Sequence, residues 1–108
     1  MQTNERVAID EVEIDGSARL LVRPKLAPSE HYEYIYRTAS GVRWSRDARA
    51  LVPYEIKGMS PAWWFSQIVA AVESEYGQLL ELKVETKWTN VSESDRLEIE
   101  AASKRHAV

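Results

Sequence analysis

The sequence predicts an α+β fold: an antiparallel sheet of five to six strands, one long helix over about residues 61–76, and a short C-terminal helix packed on the same face. Three observations predict it. Apolar residues alternate with polar ones through the first half of the chain, as in half-buried strands. A stretch with a 3.6-residue period follows, bracketed by Ser60-Pro61 and Gly77. A last alternating run and a weaker helical run complete the order, and strands followed by a helix, a strand and a helix read as α+β.

The elements follow in chain order. Val7, Ile9, Val12 and Ile14 are apolar with polar residues between them, and the alternation slips one place at Asp10-Glu11. Such a slip predicts a bulge. Asp15-Gly16-Ser17 predicts a hairpin turn, with Gly16 supplying the positive φ. Leu20, Leu21 and Val22 form a second strand stopping at Pro24, and residues 25–30 read as a loop bracketed by two prolines. Tyr32, Tyr34 and Tyr36 alternate with Glu33, Ile35 and Arg37, which predicts a third strand with its tyrosines on one face. Ala39-Ser40-Gly41 makes a turn; Val42-Arg43-Trp44 and Ala50-Leu51-Val52 are further short strands.

The long helix starts where Ser60 can accept from free amides and Pro61 fills a position whose amide needs no partner. Gly77 is its left-handed stop. At about 100° per residue, Phe65, Ile68, Val69, Val72 and Tyr76 share one arc. Trp64 lies at the edge of that arc and Trp63 points nearly the opposite way. Leu79, Leu80, Leu82 and Val84, alternating with charged residues, give a strand reaching Trp88. Ser92 or Ser94 caps a last helix over roughly 93–104, whose apolar content is only Leu97, Ile99 and alanines.

Composition bounds the function. The 108 residues fit one α+β domain, 1–108, and 44% hydrophobic content suffices for one core. No apolar run is long enough to span a membrane, and the opening Met1–Arg6 lacks a signal-peptide layout, so a cytoplasmic protein with no membrane partner is expected. With no cysteine there is no disulfide, thiolate nucleophile or sulfur-based zinc site. A net charge of −3 argues against nucleic acid as a partner. The charge is uneven, with acidic residues in 1–15, a basic excess over 16–58 that includes Arg43, Arg46 and Arg49, and an acidic excess beyond.

No catalytic, metal or cofactor motif is present. His31 and His106 are the only histidines, no HExxH spacing or glycine-rich phosphate loop exists, and the serines sit at turns and caps. Glu11, Glu13 and Asp15 fall on the solvent side of the first strand. Tyr32, Tyr34, Tyr36, Arg37, Trp44 and Trp88 are the candidate small-molecule site, since tyrosine offers both apolar surface and a polar tip; the same tyrosines also suit half-exposed packing. Trp63, with Gln67 and Ala70 beside it, is the candidate subunit contact. A solvent-facing helix side usually carries charge, and this one does not. Packing of Trp63 under the 24–30 loop or against the last helix is the competing arrangement. A two-fold dimer is the commonest closed assembly.

Several strings resemble a known group. Tyr34-Ile35-Tyr36-Arg37 with Gly41-Val42-Arg43-Trp44, then Pro61-Ala62-Trp63-Trp64-Phe65, Glu75-Tyr76-Gly77 and Thr86-Lys87-Trp88, are similar to small bacterial proteins carried on integron gene cassettes. The resemblance runs from about residue 7 to 100. It implies a compact α+β protein, often homo-oligomeric, with room for a small molecule and no catalytic residues to carry over. Three functions are weighed on this basis. The leading one is a non-catalytic homo-oligomer that binds a small molecule or a protein. The second is a small-substrate enzyme using Glu33 or His31. The third is an immunity- or antitoxin-like binder with one acidic patch from residues 10–15 and 73–85.

Overall fold

The computed structural model describes residues 5–26, 30–38, 40–54 and 58–106. The strands are β1 (Glu5–Ile14), β2 (Leu20–Pro24), β3 (Val42–Ser45), β4 (Ala50–Pro53) and β5 (Gln78–Thr89). The helices are α1 (Pro61–Tyr76) and α2 (Glu93–His106), with a short 3-10 turn at Ile35–Thr38. The fold is α+β as the sequence predicts, with five strands in the order β3-β4-β2-β1-β5.

The sheet is mixed where the sequence expectation was antiparallel. β1 pairs antiparallel with β2, but β5 runs parallel to β1, Val7 opposite Leu80 and Val12 opposite Trp88. The reason is topological. β5 follows directly on Gly77 at the end of α1, and the helix carries the chain back to the end of the sheet where β1 starts. A crossover of this kind is what delivers a parallel neighbour.

The expected bulge is present at Asp10, and it disturbs both neighbours. Toward β2 the register passes from Ile9↔Pro24 to Glu11↔Arg23. Toward β5 it passes from Ile9↔Leu82 to Glu11↔Lys87, so residues 83–86 bow out of the ladder. Thr86 fastens that excursion. Its buried hydroxyl donates to the Ile9 carbonyl at 2.6 Å and accepts from the Lys83 amide at 2.8 Å.

The hairpin after β1 forms, but Ala18 rather than Gly16 takes the positive φ, at 63°. Asp15 makes this possible: its Oδ1 accepts from the amides of Ser17 and Arg19, and its carbonyl accepts from the Ala18 amide. Burial opposes ionisation of Asp15, yet those two amides and the Arg19 charge outweigh it and hold the carboxyl below its usual value of 3.8. A depressed carboxylate contributes stability above its unfolded pKa and loses it as pH falls through the folded one. The advantage of the wild type over Asp15→Asn in urea midpoint is therefore expected to be constant above about pH 4 and to vanish as pH drops further. An advantage independent of pH would contradict this reading.

The tyrosine strand does not form. Residues 35–38 make a 3-10 turn, with the Ile35 amide bonded to the Tyr32 carbonyl and the Arg37 amide to that of Tyr34. Spacing of three buries Tyr32 and Ile35 together and leaves Tyr34, Tyr36 and Arg37 outside. Strand propensity gives way here to tertiary packing, as it commonly does. Ala39, of the turn expected next, lies outside the described residues.

α1 begins and ends as expected. Ser60 Oγ accepts from the Trp63 amide at 3.1 Å, Pro61 is the first helical residue, and Gly77 at φ 65° donates to the Glu73 carbonyl. Phe65, Ile68, Val69, Ala71 and Val72 are buried against the sheet and α2. Gly41, at φ 79°, lets the Trp64 ring lie directly on its backbone, where a Cβ would sit 3.4 Å from the indole. α2 is capped by Ser92 Oγ on the Asp95 amide and buries Ile99 and Ala102. On the opposite side of the sheet Leu21, Ala50 and Val52 form a second small cluster. No helix among the described residues is long and apolar enough to cross a membrane.

Candidate functional site

The six residues expected to bind a small molecule are divided by the fold. Tyr32 is a core residue, edge-on to Trp44 at 5.8 Å and to Tyr76 at 4.8 Å. Its hydroxyl donates to Gln78 Oε1 at 2.6 Å. Burial pushes its phenol well above the usual tyrosine range, and the charges of Glu30 and Glu5 add to the shift. Burial also raises the Tyr76 phenol, partly opposed by the Tyr34 amide that donates to it. Tyr34 and Tyr36 are exposed, 6.5 Å apart, with the Arg37 guanidinium 4.4 Å above the Tyr34 ring and 3.8 Å from Glu75. Trp44 lies on β3, one edge of the sheet, and Trp88 on β5, the other. Trp88 is covered instead by Arg96 of α2 at 4.9 Å.

One cavity retains part of the expected set. It is about 250 Å³, lined by Leu26, Glu30, His31, Tyr32, Tyr76 and Gln78. Of the two acid–base candidates, Glu33 is half-buried rather than enclosed, ion-paired to Arg46 and 4.0 Å from His31 Nδ1. The histidine ring is exposed. The His106 side chain lies outside the described residues. Among the described residues no three histidine, aspartate or glutamate side chains converge on a metal-sized site.

The acidic stretch is tied down rather than presented. Arg23 reaches across the far face of the sheet to Glu11 at 3.0 Å and Glu13 at 2.7 Å, while its Nε donates to the Ala48 carbonyl. Asp15 holds Arg19, and Glu81 is bonded to Lys83 and Arg6, contacts that hold its carboxyl below the ordinary range. The middle arginines are similarly engaged, Arg46 with Glu33 and Arg49 with the Glu30 carbonyl.

The residues expected at a subunit contact lie along one side of α1. Trp63 is 40% exposed on the outward side of α1, its ring edge-on to Trp64 at 5.0 Å. Gln67 is half-buried and Ala70 and Ser74 are exposed along the same side. Two further large apolar residues between β4 and α1 are exposed, of which sequence reasoning passed over Met59. Met59 precedes the helix and is exposed, and exposed Tyr54 donates its amide to Gly41, on which Trp64 rests. Met59 has no periodic signal because it lies between elements, and Tyr54 follows the end of β4 at Pro53. Trp64 Nε1 is buried there, with no hydrogen-bond partner among the described residues.

Comparison with known proteins bears on the whole chain. The family model of integron cassette protein Hfx_Cass5 matches residues 5–86. The solved structure of integron cassette protein Hfx_Cass5, from the mobile metagenome of the North West Arm sewage outfall, is 35% identical over 96% of this chain and 98% of that one, with a TM-score of 0.41. No curated protein matches. The residue pattern read from the sequence and the match over residues 5–86 agree: this chain belongs to the Hfx_Cass5 integron cassette protein family.

Proposed function

We propose that this chain is a non-catalytic, self-associating binding protein whose subunits meet through the outward face of α1. One observation carries the reading. The Trp63 indole stands 40% exposed on a helix side whose neighbours Gln67, Ala70 and Ser74 bear no charge. A large aromatic flanked by small side chains permits close approach of another surface and has the make-up of an interface anchor.

A small-molecule role has weaker support. The cavity beside Tyr32, at about 250 Å³, is smaller than usual ligand pockets of roughly 300–1,000 Å³. Its one buried hydroxyl is already bonded to Gln78.

Trp63→Glu is the test. Loss of a central anchor of this kind commonly costs about 2 kcal/mol or more, roughly 30-fold in affinity. Light scattering is expected to show the molar mass halved while circular dichroism and melting temperature stay close to wild type. An unchanged mass would rule out this interface.

A further inference from the structure

β5 ends the sheet, so among the described residues one of its edges has no strand neighbour. Its side chains alternate strictly in identity: Leu80, Leu82, Val84, Thr86 and Trp88 at even positions, Glu81, Lys83, Glu85 and Lys87 at odd ones. The period of two should place Val84 on the α2 side with Leu82 and Trp88. Instead the excursion at 83–86 carries it out until it is 100% exposed. Among the described residues nothing covers this aliphatic side chain at the crest of the edge. Beside it runs a groove of about 460 Å³ between β5 and α2, lined by Leu82, Val84 and Trp88 with Arg96, Glu100 and Lys104.

The odd positions say what fits. If β5 meets the same strand of a second copy antiparallel with Val84 on the two-fold axis, Glu81 falls opposite Lys87 and Lys83 opposite Glu85, each twice by symmetry. Leu80 then faces Trp88, and Leu82 falls opposite Thr86, whose hydroxyl is turned toward the Ile9 carbonyl of β1. Moving the register by two residues either way sets Lys83 against Lys83 or Glu85 against Glu85. Moving it by one turns every side chain to the wrong face. Like charges directly opposite one another are unfavourable and opposite charges favourable. Among registers within two residues only the Val84-centred one satisfies both rules; those centred on Leu82 or Thr86 keep a single kind of opposite-charge pair, Glu81–Lys83 or Glu85–Lys87, where it makes two. It also sets the two excursions against each other at the axis and regular strand against regular strand on either side.

We propose that β5 is a second self-association surface, pairing antiparallel with β5 of another copy about a two-fold axis through Val84. The proposal shares with the reading above only the identity of the partner; no residue belongs to both surfaces. With both in place, dimers joined through Trp63 pair again through β5.

Because the chain has no cysteine, Val84→Cys supplies a single thiol at a fully exposed position. Residues directly opposite in an antiparallel pair have Cα atoms about 4.5–5.5 Å apart, within disulfide range. Mild oxidation is expected to give a disulfide-linked dimer at least about tenfold faster than Ala101→Cys, an exposed α2 control, since pairing raises local thiol concentration. The charge rule is tested separately. Lys83→Glu/Lys87→Glu makes the edge acidic and Glu81→Lys/Glu85→Lys makes it basic. Each alone is expected to show a smaller molar mass than wild type, and a 1:1 mixture to recover it. Cross-linking no faster than the control overturns the proposal, as does a folded acidic-edge chain of wild-type mass. Should either charge variant not fold, the cysteine comparison decides. Cross-linking that persists in Trp63→Glu separates the two surfaces. Val84→Cys cross-linking no faster than the control in the otherwise unchanged chain, with Trp63→Glu still halving the mass, leaves the helix interface standing and removes this one.

Discussion

Phe65→Ala is expected to lose about 3–5 kcal/mol of stability, the usual cost of deleting a fully buried aromatic ring. Phe65 is 0% exposed and the bulkiest of the fully buried side chains, set in the first full turn of α1 among residues from both the sheet and α2. The loss combines removal of apolar surface from contact with a cavity that close-packed neighbours fill only in part. For a protein of this length each 1 kcal/mol shifts the melting temperature by roughly 4–8 °C, so a drop of at least about 12 °C is expected in a thermal melt. Trp63, two positions earlier, is the internal contrast. It is larger, yet its truncation is expected to leave the melting temperature nearly unchanged and to act on molar mass. A Phe65→Ala shift below about 4 °C would mean that α1 is not seated as described.

Thr86→Val is the second large effect. The side chains have nearly the same shape, so no cavity opens and only the hydroxyl is lost. That hydroxyl is the partner of two backbone groups at once, the Ile9 carbonyl and the Lys83 amide. Leaving the buried Ile9 carbonyl without a partner costs about 1–3 kcal/mol, and the part-buried Lys83 amide, which water can reach, adds less, giving roughly 2–4 kcal/mol in all. Thr86→Ser keeps both bonds and loses one methyl, so it is expected to cost only about 1 kcal/mol. Urea unfolding of the pair checks this. Equal losses in the two variants would show that the hydroxyl does not fasten the excursion of β5.

The parts of this structure written in the sequence are those set by neighbouring residues. Ser60-Pro61 and Tyr76-Gly77 fix both ends of α1 through cap chemistry that needs no tertiary partner. The slip at Asp10-Glu11 announces the bulge, and the 100° arc correctly turns Trp63 outward. What was not legible is set at long range. Tyr32-Glu33-Tyr34-Ile35-Tyr36 alternates like a strand, but which of its side chains go inside depends on Trp44, Tyr76 and Gln78, distant in sequence. Gly16 is the obvious turn residue, yet the Asp15 carboxylate moves the left-handed conformation to Ala18. The exposure of Val84 depends on residues 83–86 of β5 standing against the single residue Asp10 of β1, a mismatch that appears only once the two strands are paired. The expected ligand site joined Trp44 to Trp88 because alternation gives each strand a face and says nothing of its place in the sheet.

The parallel pairing of β1 with β5 also has a kinetic consequence. The opening strand cannot acquire its second neighbour until β5 has left the ribosome, after every other strand and α1. Closing so large a loop demands a chain-wide search whose entropy is spent before the contacts form, and folds built on such distant pairings are slow to cross their barrier. During that interval the flank of β1 destined for β5 is bare, so the nascent chain is most prone to misassociate there.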